Sequence, residues 1–191
     1  MTAVAHYGSV ATELAICRKT AGLAERSDLG RLALSGREPW IEHALGHAIG
    51  AAVPQPGRAA RLGDTWCCRV APDRALIVAP AGALARWRRL AREAIVAGHP
   101  IECSDLTVRT AAASIVGPSA AAVLRLAGLH YGPQVGDLAA GADVIVLREG
   151  PQHFLLLYDA PLWDALLDVG RPLGLSPVGS DALMRLRAAP H

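Results

Sequence analysis

Apolar residues recur along the chain at two spacings, which predict helices and strands in alternation. Steps of three and four residues are typical of a helix face, and short apolar runs flanked by turn residues are typical of strands. Short polar links between neighbouring runs predict hairpins. The predicted elements are a helix over 10–21, a strand over 32–36, a helix over 37–48, a hairpin of 65–70 with 75–79, a helix over 84–95, a strand over 113–117, a helix over 118–127, a hairpin of 142–148 with 153–158, and a helix capped by Asp159.

This series of elements occurs twice. Ser27-Asp28-Leu29 recurs as Ser104-Asp105-Leu106, and each copy precedes a short apolar run ending in glycine. Internal repetition of this kind predicts an α+β fold of two similar ferredoxin-like α/β halves related by internal duplication. We place the halves at 1–100, including the first helix, and 101–191, packed as one compact unit. We expect the halves to superpose about a pseudo-twofold axis, with Trp87 and Trp163 at comparable core-facing positions.

The composition of the chain limits the kinds of molecule that the protein is expected to bind. The chain is 52% hydrophobic, its formal charge is +2, and only 4% of its residues are aromatic, so neither nucleic acid nor an acidic membrane surface is an expected partner. The longest apolar stretch, 75–85, is too short to span a bilayer, and no signal peptide is evident. The four cysteines show no CxxC spacing, which favours reduced thiols and a cytoplasmic location.

Few residues or motifs in the sequence indicate catalysis or metal binding. The glycine-rich, nucleophile-elbow and zincin signatures GxGxxG, GxxxxGK[ST], GxSxG and HExxH do not occur. His43 and His47 have metal-ligand spacing on a predicted helix, but no third ligand is identifiable, so we interpret them as surface histidines and expect no metal site. Cys67 and Cys68 are adjacent on a strand, so they face opposite ways and cannot form a shared ligand pair, and we interpret at least one of them as a core residue. Asp64, at a strand entrance, is by itself typical of a turn.

Three stretches resemble the tetrahydrofolate-dependent aminomethyltransferases, the T proteins of the glycine cleavage system. They are His6 to Glu13 followed by Gly22-Leu23-Ala24-Glu25-Arg26-Ser27-Asp28-Leu29-Gly30; Val116-Gly117-Pro118-Ser119-Ala120 with Val123-Leu124; and Leu162-Trp163-Asp164-Ala165-Leu166-Leu167-Asp168-Val169-Gly170 with Pro177-Val178-Gly179 and Leu186-Arg187. The resemblance implies a folate-binding fold with an internal duplication. It also implies that Asp64, which would bond the pterin or the amine, and Arg187, at the pocket floor, are the site residues.

The departures from this family are equally informative. Its GYTGE segment is replaced by Arg148-Glu149-Gly150-Pro151-Gln152-His153, so we expect tetrahydrofolate binding to be weak or absent. The length resembles the gamma subunit of heterotetrameric sarcosine oxidases. The resemblance therefore favours a non-catalytic subunit of one-carbon or N-methyl amine metabolism, with a larger flavoprotein partner or self-association. The alternatives are a minimal tetrahydrofolate-dependent aminomethyltransferase, or the same pocket reused for another small molecule.

Overall fold

The computed structural model describes residues 4–50, 52–141, 143–159 and 161–188. The first part of the chain forms α1 (Val10–Lys19), β1 (Ala21–Glu25), β2 (Leu29–Gly36), α2 (Glu38–Ile49), β3 (Arg58–Leu62), β4 (Thr65–Ala71), β5 (Arg74–Pro80) and α3 (Leu84–Val96). The rest forms β6 (Ile101–Asp105), β7 (Ala111–Val116), α4 (Ala120–Leu126), β8 (Leu138–Ala140), β9 (Val144–Gly150), β10 (His153–Tyr158), α5 (Leu162–Gly170), β11 (Leu175–Pro177) and α6 (Ser180–Ala188). The order strand, strand, helix, three strands, helix thus occurs twice.

The strands form two sheets, which exchange one strand each. The six-stranded sheet has the order β11-β1-β7-β10-β9-β8, and the five-stranded sheet has the order β3-β4-β5-β2-β6. Neighbours are antiparallel except for β1 and β11, which are parallel. The first strand of each half therefore pairs with the second strand of the other half: β1 with β7, and β6 with β2.

Helices cover the outer faces of the sheets, and the inner faces meet. Apolar residues of β4 and β5 pack with those of β7, β9 and β10 in one cluster between the sheets. A second cluster joins α2 and α3 to the five-stranded sheet, and a third joins α4 and α5 to the six-stranded sheet. At its β1 side, the six-stranded sheet is covered by α1 and α6. The protein is therefore an α+β protein in which apolar residues of both halves pack against each other between the sheets.

Two residues of the family-like motifs have clear structural roles. The buried carboxylate of Glu13 accepts hydrogen bonds from the backbone N–H of Tyr7 at 2.6 Å and of Gly179 at 2.8 Å, which ties α1 to the segment before α6. Gly117 has φ +124°, and a β-carbon there would lie 2.4 Å from the carbonyl oxygen of Thr20. Only glycine fits where β7 turns into α4 against the end of α1.

Most predicted elements are present, with shifted ends, and the predicted cap needs correction. The last predicted helix begins at Leu162 after Pro161, so Asp159 does not cap it. No strand was predicted over 53–64, which shows no apolar periodicity, but this stretch contains β3. The short or polar strands β1, β6, β8 and β11, and helix α6, were not predicted. Cys67 and Cys68 are buried in different clusters on opposite sides of β4, as expected.

The two tryptophans lie on corresponding helices but differ in burial. Trp87 on α3 is buried against the five-stranded sheet, whereas Trp163 on α5 is half-buried at the edge of the other helix–sheet cluster. None of the helices in the described part of the chain is long and apolar enough to cross a membrane. Superposition of the halves, and their division at residue 100, stay predictions.

Candidate functional site

Asp64 and Arg187 line the same cleft, although 123 positions separate them in the sequence. Asp64 lies in the turn between β3 and β4, and Arg187 lies in the last turn of α6. The cleft has a volume of about 110 Å³. Its other lining residues are Arg26, Asp28, Leu29, Arg61, Trp66, Pro80 and Glu149. The fold thus brings together the two site residues that the family resemblance implied.

A buried carboxylate organises one wall of the cleft. The side chain of Glu149, at the end of β9, is 6% exposed. Its Oε1 accepts a hydrogen bond from Nε1–H of Trp66 at 2.8 Å, and its Oε2 accepts one from Nη2 of Arg187 at 2.6 Å. Charge-assisted bonds of this length are among the stronger ones in proteins. Arg187 is therefore bound by the protein itself.

His153, the first residue of β10, lies next to this carboxylate. Its Nε2 is 3.3 Å from Oε2 of Glu149 and has no hydrogen-bond partner among the described residues. Burial lowers the pKa of His153, Glu149 opposes this effect, and the charges of Arg187, Arg26 and Arg61 add to it, so that the pKa is about 4. The imidazole is therefore neutral at pH 7.

Glu149 nevertheless keeps its charge. Burial raises its pKa, but His153, Arg187 and Arg26, together with the Trp66 hydrogen bond, outweigh burial and leave the pKa below its ordinary value. Because the imidazole of His153 is neutral at pH 7, the positive charges that hold Glu149 ionised there are the two arginines.

A second ion pair, Arg26 with Asp28, lines the same cleft. The buried guanidinium of Arg26 donates from Nε and Nη2 to the two carboxylate oxygens of Asp28, at 2.8 and 2.9 Å, and from Nη1 to Ser114 Oγ at 3.2 Å. Burial raises the pKa of Asp28, but the hydrogen bond and charge of Arg26 lower it by more. A bidentate pair of this kind holds both side chains in fixed positions.

Asp64 and Arg61 are the charged lining residues that the protein leaves without a salt-bridge partner in its described part. Arg61 lies over the ring of Trp66, 5.7 Å from its centroid, and Asp64 is exposed at the rim. A drug-sized ligand needs roughly 300–1,000 Å³. A cleft of about 110 Å³ therefore accommodates a small fragment beside Asp64 rather than a whole folate.

Sequence reasoning missed three residues of this site. Glu149 stands within the segment that replaces GYTGE, and we interpreted that replacement only as a loss. Trp66 and Arg26 reach the site from β4 and from the turn after β1, and their bonds to Glu149 and Ser114 span 83 and 88 positions. The position of Arg26 within one of the family-like stretches was the one local signal that could have indicated a role.

A larger cavity of about 460 Å³ lies elsewhere and shares no lining residue with the cleft. Residues of β2 and β5 line one side, and residues around the β8–β9 link line the other. Most of the lining is apolar, with Arg74, Asp143 and Asp159 among its charged members. The larger of these two volumes is thus separate from the residues Asp64 and Arg187.

Comparison with known proteins places the fold. No family model matches the chain, and no curated protein matches it in sequence. Glycine cleavage system aminomethyltransferase T from Bartonella henselae superposes with a TM-score of 0.77 at 23% identity, over 94% of this chain and 53% of that one. A chain of the heterotetrameric sarcosine oxidase from Corynebacterium sp. U-96 superposes with a TM-score of 0.66 at 21% identity, over 87% of this chain and 93% of that one.

The chain spans about half the length of the aminomethyltransferase that it matches. Both superpositions extend over most of this chain, which agrees with the three family-like stretches distributed from His6 to Arg187. The protein therefore has the fold that aminomethyltransferase T shares with a chain of heterotetrameric sarcosine oxidase, as the sequence predicted.

Proposed function

We propose that this protein is a non-catalytic, aminomethyltransferase-like subunit that acts in one-carbon or N-methyl amine metabolism beside a larger flavoprotein. The observation that carries the proposal is the hydrogen bonding of Glu149. This buried carboxylate occupies Arg187 and the indole N–H of Trp66, and Arg26 is occupied by Asp28. A ligand would have to displace these bonds, and about 110 Å³ is too little space for a folate. A structural subunit needs no such opening.

Similarity in fold to a chain of a multi-subunit enzyme supports the same proposal. The superposition extends over 93% of the oxidase chain. The oxidase is a heterotetramer, so a chain with this fold can belong to a multi-subunit assembly. Association with a flavin-bearing chain is the form of assembly that we propose, and we expect it in the cytoplasm.

A second candidate function is a minimal transferase, or another small-molecule role, that uses the same cleft. The observation that favours it is Asp64, which faces the cleft without a salt-bridge partner in the described part of the chain. A free carboxylate can hold an amine or a pterin N–H. In this alternative, Arg187 keeps its bond to Glu149 and shapes the pocket.

Calorimetry with tetrahydrofolate under anaerobic conditions distinguishes the two candidates. Each missing recognition bond weakens binding by about 1–3 kcal/mol, and each 1.4 kcal/mol is about tenfold in Kd. We therefore expect a Kd in the millimolar range or no detectable binding, unchanged in Asp64→Ala. A Kd near or below micromolar that is lost in Asp64→Ala but kept in the control Asp73→Ala, at another exposed turn, would favour the transferase.

The subunit role is tested separately by native mass spectrometry of the protein from its own host. We expect a complex that contains a larger chain with bound flavin. Recovery of the protein only as a monomer or as a homo-oligomer, under conditions in which known assemblies stay intact, contradicts the flavoprotein partner. Because this result does not depend on folate affinity, the two parts of the proposal can fail independently.

A further inference from the structure

The larger cavity, of about 460 Å³, adjoins the same core between the sheets as the cleft beside Asp64. Leu29 and Trp66 line the cleft and belong to the inter-sheet cluster. Leu76 and Leu157 line the cavity and belong to the same cluster. Because the two spaces share no lining residue, they are separate spaces at the margin of one core. The proposed function does not use the larger one.

The cleft and the cavity correspond to each other through the repeated order of elements. Strands β4 and β9 each have seven residues, and each is the first strand of a hairpin. Asp64 directly precedes β4 and lines the cleft, whereas Asp143 directly precedes β9 and lines the cavity. The second residues of these strands follow the same division, with Trp66 in the cleft and Ile145 in the cavity. The repeat therefore places an aspartate at both spaces.

The side chains at corresponding positions explain why the cavity is the larger space. Glu149 is the sixth residue of β9 and lines the cleft, where it binds Trp66 and Arg187. Its counterpart Val70 is the sixth residue of β4 and lines the cavity, where Ile145 takes the place of the indole. Arg187 has no counterpart either, since it lies on α6 after α5, whereas α3 is followed directly by β6. The network that fills the cleft is therefore missing from the described lining of the cavity.

The charges that line the cavity favour a cationic ligand. Asp143 and Asp159 are exposed, and neither has a salt-bridge partner in the described part of the chain. They adjoin the paired ends of β9 and β10, where the backbone N–H of Asp159 donates to Asp143 O at 3.3 Å. Like charges opposite each other on neighbouring strands are destabilising, so a cation between them is favoured. Arg74 also lines the cavity, but its ion pair is with Asp73, at 3.7 Å.

We propose that this cavity binds a small apolar amine, whose ammonium group lies between Asp143 and Asp159. The volume of about 460 Å³ is within the range of roughly 300–1,000 Å³ that small-molecule sites have. The apolar body of the amine lies against side chains from both sheets and from the segment after β6, namely Leu76, Leu106, Ile145 and Leu157. The site does not depend on the proposed subunit role or on folate binding in the other cleft.

Isothermal calorimetry of the full chain with phenethylamine tests the site. Phenethyl alcohol and hydrocinnamate are the matched probes, because they keep the aromatic body and replace the ammonium group by a neutral or an anionic one. We expect one phenethylamine per chain with a Kd below about 1 mM, which is within the reach of a ligand of this size. The alcohol should bind about two- to tenfold more weakly, and hydrocinnamate more weakly still. Added NaCl should weaken binding of the amine but not of the alcohol.

Variants locate the binding. Asp143→Asn and Asp159→Asn should each weaken phenethylamine binding about two- to tenfold and leave the affinity for phenethyl alcohol unchanged. Asp164→Asn is the matched control, because Asp164 is exposed on α5 and does not line the cavity, so it should bind as the wild type does. Ala33→Leu enlarges a half-buried side chain of the lining and should weaken binding of both probes at least tenfold. Far-UV circular dichroism shows whether each variant is folded.

Several results would overturn the site. Absence of saturable binding of phenethylamine at millimolar concentrations removes it, and so does unchanged binding in Ala33→Leu. Tighter binding of hydrocinnamate than of the amine contradicts the role of the two aspartates and gives Arg74 the larger one. A loss of binding in Asp64→Asn, with none in Asp143→Asn, moves the ligand to the other cleft.

Discussion

At the residue scale, the cleft beside Asp64 is organised by Glu149. In the sequence this residue belongs to the segment that replaces the family's GYTGE, and the replacement was interpreted only as a loss. Glu149 is buried and accepts bonds from Trp66 and Arg187, so the arginine that the resemblance implied for a ligand is held by the protein. Breaking such a pair by removing one partner is costly, because it leaves a buried charge uncompensated. Burial in the same site also lowers the pKa of the neighbouring residue His153, and this effect can be measured.

His153 should make stability depend on pH in a defined window. Its pKa is lowered to about 4 by burial, whereas an unfolded histidine titrates near 6.5. The unfolded state therefore binds more protons between these values, and the free energy of unfolding falls as pH falls from about 6.5 towards 4. Between pH 7 and pH 5 we expect a loss of about 1–2 kcal/mol, since His153 keeps some contact with solvent.

Urea unfolding at pH 5 and pH 7 measures this loss. The variant His153→Gln should lose about 1–2 kcal/mol less than the wild type over this range. Glu149 does not interfere, because its pKa is lowered from an already acidic value and it stays ionised in both states across this range. His130→Gln, at an exposed histidine, serves as the control and should behave like the wild type. Equal pH dependence in His153→Gln and the wild type would contradict the assignment.

At the scale of elements, helical periodicity and hairpin links were predictable, and short strands without either were not. Helix α3 repeats its buried residues Leu84, Trp87 and Ala91 at helical spacing, and both hairpins join apolar runs through short links. β1 has five residues and does not pair with the next strand along the chain, and β6 is a mostly exposed edge strand. Both are the exchanged strands, whose environment is set by the other half. The cleft residues Trp66 and Glu149 were missed for the same reason.

The closing helices of the two halves should differ in their contribution to stability. Trp87 is 6% exposed, so Trp87→Ala removes a buried ring and should lower the free energy of unfolding by about 3–5 kcal/mol. Trp163 is half-buried, and for Trp163→Ala we expect about 1–3 kcal/mol. In a chain of this length each kcal/mol lowers Tm by about 2–4 °C.

Differential scanning calorimetry of both variants checks the packing of α3 and α5. Trp40→Ala is a useful comparison, because Trp40 is also half-buried but lies on α2, the other helix that packs on the five-stranded sheet. An unchanged Tm in Trp87→Ala and Trp163→Ala would show that these helices do not pack on their sheets through the tryptophans.

At the scale of the whole molecule, the exchange of strands makes the halves interdependent. β1 lies between β7 and β11, so residues 101–191 alone would have a gap within their sheet. Residues 1–100 alone would lack β6, and their β1 would have no sheet to join. The core between the sheets draws apolar residues from both halves, Leu76 and Val78 from one and Leu155 and Leu157 from the other. The repeat in sequence therefore does not imply two independently folding units.

We expect fragments 1–100 and 101–191 to remain unfolded when produced separately, and to form a folded complex when mixed. The intact chain should unfold in one cooperative transition by circular dichroism and fluorescence, because the inter-sheet core couples both halves. The control is the full chain carrying a protease site between residues 97 and 100. After cleavage it contains nearly the same two fragments, already paired, and should keep its native spectrum. A cooperative unfolding transition in either isolated fragment would show that the exchanged strand is dispensable and that each half is a domain in its own right.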